Sequence, residues 1–107
     1  MGYDLRITRA VDWSANQGFE ISCREWLAVV AADPELVPDA VYGPYAVRFG
    51  GTHWLDWYEG NVFATDPDHA AVTKMLQIAA SLSAAVQGDD GEFYSSANEW
   101  SRARKRG

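Results

Sequence analysis

Tyr3-Asp4-Leu5-Arg6-Ile7-Thr8 alternates apolar and polar positions without a break, which predicts a half-buried strand with Tyr3, Leu5 and Ile7 facing inward. Residues 10–20, rich in Asp, Ser, Asn, Gln and Gly, read as a loop. Ser22-Cys23-Arg24-Glu25 is a capping box, with Ile21 and Trp26 at the hydrophobic-staple positions. The helix it opens should turn Trp26, Leu27 and Val30 inward and end near Asp33-Pro34. Residues 33–44 hold three of the four prolines and form a long connection. Tyr45 to Phe49 alternates again, Gly50-Gly51 turns the chain, and His53 to Tyr58 and Val62 to Ala64 follow as strands. Glu59-Gly60-Asn61 between them suits a tight hairpin. Asp66 reads as the cap of a second helix, with Pro67 at its first position and Asp68 favouring its dipole. Ala71, Val72, Met75, Leu76, Ala79 and Leu82 form the buried stripe of that helix. Ala84 to Gln87 is a short strand, then comes an acidic turn, then Glu92-Phe93-Tyr94. This order predicts an α+β two-layer sandwich, with two helices packed on one face of a mainly antiparallel sheet of about five to six short strands.

A chain of 107 residues makes one domain with an adequate core, and 48% hydrophobic with 22% charged residues is globular composition. We read 1–96 as that domain and 97–107 as a basic, flexible tail. All 15 acidic residues and five of the nine basic ones lie within 1–101, so that part carries −10 and the last six residues +4. Such an acidic body repels phosphate backbones and argues against nucleic acid. The lone Cys23 excludes an internal disulfide framework and a Cys-based zinc cluster. With no apolar run of membrane-spanning length and no leader signature at Met1-Gly2-Tyr3-Asp4, the chain is expected to be soluble and cytoplasmic.

The run Tyr3 to Ile7, the hairpin Trp54-Leu55-Asp56-Trp57-Tyr58-Glu59-Gly60-Asn61, the segment Lys74 to Ala79 and the ending Val86-Gln87-Gly88-Asp89-Asp90-Gly91-Glu92 resemble a family of short, acidic, uncharacterised bacterial proteins. The resemblance spans residues 3–94 and implies a bacterial source but no activity, cofactor or catalytic residue. This chain has Leu82-Ser83-Ala84 where similar chains tend to have Leu-Gly-Ala, which leaves open how the second helix ends.

Three constellations can carry chemistry. Asp89, Asp90 and Glu92, with Asp56, Glu59 or His53 from the strand 53–58 and its turn, offer ligands for a divalent cation, although Asp-Asp-Gly is equally a good turn. The spacing is not that of an EF-hand loop. Cys23 stands at a helix N-terminus, where a thiolate is favoured, and its available bases are His53 and His69; the same spacing fits a small buried hydrophobe, the favoured reading. On the strand 53–58, Trp54, Asp56 and Tyr58 share one face and Leu55 and Trp57 the other. The first set is either a protein-contact surface or covered by the loop at 10–20 or 33–44. No phosphate loop, catalytic triad, zinc motif or dinucleotide fingerprint occurs. The favoured expectation is a non-enzymatic module that binds a protein partner, such as a basic toxin, or a second copy of itself, without a cofactor. The alternative is a small metal-dependent hydrolase built on the turn 89–92; a small-ligand domain is a third option.

Overall fold

The computed structural model describes residues 3–50 and 53–106, and side chains as far as Ala103. The elements run β1 (Asp4–Thr8), a 3-10 turn (Trp13–Ala15), α1 (Cys23–Ala32), β2 (Val37–Pro38), β3 (Val47–Phe49), β4 (His53–Tyr58), β5 (Asn61–Thr65), α2 (His69–Ser81), β6 (Ala85–Gly88), β7 (Phe93–Tyr94) and α3 (Ala97–Arg106). The seven strands form one antiparallel sheet in the order β2-β3-β4-β5-β1-β6-β7. The expected α+β fold is present, with seven strands and three helices among the described residues. Both edge strands are only two residues long, and one ends in Pro38.

Alternation along each strand sends Val47, Leu55, Val62, Ala64, Leu5, Ile7 and Val86 to one face, where they join Trp26, Val30, Val72, Met75 and Trp100 in a single core. Trp26 is fully buried, and its indole N–H donates to the Tyr45 carbonyl at 2.8 Å. Trp57 lies on the same side and donates to the Ile21 carbonyl at 2.7 Å. The capping box of α1 is formed on both sides, and Arg9 grips Glu25 at 2.6 Å. That contact and the Ser22 backbone pull the Glu25 carboxyl down to about 2. Lys74 is buried between Asp33 at 2.6 Å and Glu35 at 2.5 Å. Burial works against its charge, but the two carboxylates more than offset this and raise its pKa.

Three local expectations need correction. Leu27 is 42% exposed, because the inner stripe of α1 is Trp26 with Val29 and Val30, and Leu27 lies about 100° round the helix from Trp26. Asp68, not Asp66, caps α2, accepting from the Ala71 amide at 2.8 Å. Asp66 instead has φ 47° and exchanges hydrogen bonds with the Tyr3 backbone, which closes the β1–β5 ladder. Residues 97–106 form α3 rather than a flexible tail: Ser96 and Glu99 make a second capping box, and Trp100 is only 3% exposed. The side chains of Arg104, Lys105 and Arg106, and Gly51 of the expected Gly50-Gly51 turn, lie outside the described residues.

The two glycine-type turns are instructive. Glu59 and Gly60, at φ 48° and 86°, make the two-residue hairpin loop expected between β4 and β5. At the end of α2, Ser83 takes φ 54°, the Ala84 amide donates to the Ala79 carbonyl at 2.9 Å and the Ser83 amide to Ala80 at 3.4 Å. This is a Schellman cap made without glycine, at a cost of about 1 kcal/mol relative to glycine.

Candidate functional site on the open face of the sheet

The helices cover one face of the sheet, and the other carries the polar half of each alternation. Asp56, Phe63, Arg6 and Gln87 stand side by side on β4, β5, β1 and β6. Two loops settle over the ends of this face. The turn at 11–17 covers the β1–β6 side: Gln87 accepts from the Trp13 amide at 2.8 Å and donates to the Val11 carbonyl at 2.9 Å, and the Arg6 guanidinium lies 3.4 Å from the Trp13 ring centroid. The segment 39–46 covers the β3–β4 side: Tyr42 packs on Trp54 at 5.0 Å between ring centroids, and the Trp54 indole N–H donates to Asp39 at 3.3 Å. The covering is incomplete. Trp54 stays 37% exposed, Tyr42 62% and Tyr58 65%.

Between the loops the face is concave. Two hollows of about 320 Å³ each share Phe63 as a wall. One lies over Asp4, Arg6, Trp13 and Asn61. The other is walled by Tyr42, Trp54 and Phe63 and has Asp56 and Thr65 in its lining. Arg48 pairs with Asp39 at 2.7 Å, and His53 meets Asp68 at 3.0 Å. Asp56 accepts the Trp57 amide at 2.8 Å and, among the described residues, forms no ion pair. Burial raises its pKa, partly countered by the Trp57 amide.

A raised carboxyl favours the native state only while it is protonated, so the contribution of Asp56 is full below its unfolded value of about 4 and is lost as pH rises through its native value. Asp56→Asn keeps the oxygen that accepts from Trp57. The variant is therefore expected to melt higher than wild type at pH 7, with the gain gone below about pH 4. Calorimetric melting points across that range check this; an equal or lower midpoint at pH 7 would sink it.

The acidic turn is a tied hairpin tip. Asp89 binds Arg6 at 2.5 Å and accepts the Asp4 amide at 3.0 Å. One Glu92 oxygen accepts the hydroxyls of Tyr94, at 2.6 Å, and Tyr3. Burial opposes ionisation of Glu92, and the two hydroxyls more than offset it, lowering its pKa; burial, reinforced by Glu92, pushes Tyr3 up to about 12. Gly88 makes room for this carboxylate, which lies where a Cβ would be. The cation candidates thus stand apart: Asp89, Asp90 and Glu92 follow β6, while His53, Asp56 and Glu59 belong to β4 and its turn, three strand spacings or about 14 Å away. Among the described residues, no three His, Cys, Asp or Glu side chains converge as metal ligands.

Cys23 is half-buried rather than fully buried and lies against the Tyr45 hydroxyl, whose pKa it raises. His69 Nδ1 is engaged with Ser101 at 3.1 Å and His53 Nε2 with Asp68, and among the described residues no hydrogen bond joins either imidazole to the thiol. A larger groove of about 540 Å³ between α1 and α2 is lined by Val29, Ile78 and Leu82. Its acidic residues, Glu25 and Asp33, are already held by Arg9 and Lys74. Among the described residues no helix is long and apolar enough to cross a membrane. Comparison with family models, curated proteins and solved structures finds no match.

Trp54, Asp56 and Tyr58 stand on the shared strand face that alternation predicts; Tyr42 and Phe63, which line the same face, were not among the expected contact residues. Phe63 was legible in principle, since it occupies the outward position of the Val62-Phe63-Ala64 alternation. Tyr42 was not, because its place depends on how an irregular segment folds back.

Proposed function

We propose that this protein is a non-enzymatic binding module whose open sheet face receives a basic protein partner. The observation that carries this reading is the set Tyr42, Trp54 and Tyr58, left exposed on one concave face beside a carboxylate that no cation of the described chain neutralises. Exposed Trp and Tyr supply contact area at small entropic cost and dominate interface energies. The net charge of −6 favours encounter with a cationic surface, while the two short edges leave little room for a partner to add a strand.

The test uses wild type and Trp54→Ser/Tyr58→Ser as parallel baits, followed by identification and purification of what wild type alone retains. The expected partner is basic, and the double variant binds it about thirtyfold or more weakly by calorimetry. Equal binding by both baits overturns the reading, as does a self-associated wild type by light scattering whose association the double variant abolishes.

A further inference from the structure

Within that face, and resting on the binding reading just given, we infer that the hollow walled by Tyr42, Trp54 and Phe63, with Asp56 in its lining, is a cation pocket that takes a single lysine or arginine side chain of the partner. Three independent features converge there. The first is aromatic: three rings line one hollow, and the Tyr42 and Trp54 rings are tilted by 58° to each other, so that π-faces and edges present to the space between them. A cation near such faces is attracted by the ring quadrupoles. The second is charge. Arg48 is paired with Asp39 and His53 is engaged with Asp68, whereas Asp56 is left without a counter-ion among the described residues. A partly buried carboxylate in that state gains more from an incoming cation than an exposed one does, because the cation replaces hydration it has already lost. The third is size: about 320 Å³ admits an alkyl stem with its ammonium or guanidinium head.

The chain shows the same chemistry elsewhere on this face. Arg6 lies over Trp13 with Asp89 as its carboxylate partner, an aromatic–cation–carboxylate set filled from within. At the hollow beside Asp56 the rings and the carboxylate are present, and the carboxylate has no cation of the described chain. Arg48 makes a cation–π contact with Trp54 at 5.4 Å from the ring centroid, but it is bonded to Asp39 and, among the described residues, forms no ion pair with Asp56.

The experiment titrates the whole protein with N-acetyl-arginine amide and N-acetyl-lysine amide, and with the neutral N-acetyl-citrulline amide as control, following the Trp54 indole N–H resonance. The expected result is a saturable shift in the millimolar range with the cationic probes and none with citrulline. Asp56→Asn, which folds if its melting point matches or exceeds wild type, should weaken binding about tenfold. Tyr42→Ala, at an exposed position, should weaken it about threefold. Absence of a saturable shift, or an equal response to citrulline, overturns the pocket. If the probes fail while Trp54→Ser/Tyr58→Ser still abolishes partner binding, the pocket falls and the wider binding face stands. If the probes bind and the two baits capture alike, the pocket stands as a cation site and the binding face falls.

Discussion

Trp100→Ala should lose about 4 kcal/mol of stability, the usual cost of deleting a buried aromatic side chain. The indole is 3% exposed, its N–H donates to the Pro67 carbonyl at 2.6 Å, and the rings of Tyr3 and Tyr94 pack on it at 5.7 and 5.6 Å. One side chain therefore joins α3 to the entry of α2, to the start of β1 and to β7. For a domain of this size the loss corresponds to a fall in melting temperature on the order of 15–25 °C. Urea unfolding followed by circular dichroism measures it. A loss below about 1 kcal/mol would mean that α3 does not hold the fold together in solution. Because Tyr3 and Tyr94 also donate to Glu92, the same substitution should disturb the acidic turn, visible as a change in the titration of the two tyrosines.

The second large effect is expected at Trp26, the fully buried side chain that fixes α1 to the sheet. Trp26→Ala should again cost about 4 kcal/mol. Trp26→Phe separates the two roles of the indole: most of the apolar contact is kept, and the Tyr45 carbonyl loses its donor, at about 1–3 kcal/mol. That carbonyl belongs to the segment carrying Tyr42, so the phenylalanine variant should also weaken cation binding at the sheet face, more than a remote substitution of equal destabilisation. Denaturant titration paired with the probe titration reads both. An unchanged affinity in Trp26→Phe would show that the Tyr42 segment is positioned independently of α1.

How much of this was legible follows from where the signals are local. β1, the capping box at Ser22, the β4–β5 hairpin and the buried stripe of α2 are each written in a few adjacent residues, and the structure has them. Asp66 was misassigned because Asp66-Pro67-Asp68 offers two capping aspartates, and only the pairing of Asp66 with the Tyr3 backbone, 63 residues away, decides between them. The helix at 97–106 had its own local signature in Ser96-Ala97-Asn98-Glu99, overridden by the weight given to the basic residues that follow. The aromatic face at Trp54 and Tyr58 was readable from alternation, but its partial cover was not, since Tyr42 and Trp13 reach it from irregular segments whose course depends on tertiary contacts.

The sheet order has a kinetic meaning. β1 sits between β5 and β6, and its first residue bonds to Thr65 and Asp89 across separations of 61 and 85 residues. Pairings this distant in sequence raise contact order and slow folding. At synthesis rates of about 5–20 residues per second, roughly 4–17 s pass between the emergence of β1 and that of its last partner. Until the last of these segments is made, Leu5 and Ile7, which end fully buried, lack part of the structure that will enclose them. The strand made first completes its ladder among the last, and the nascent chain spends those seconds most open to chaperones and to mispairing.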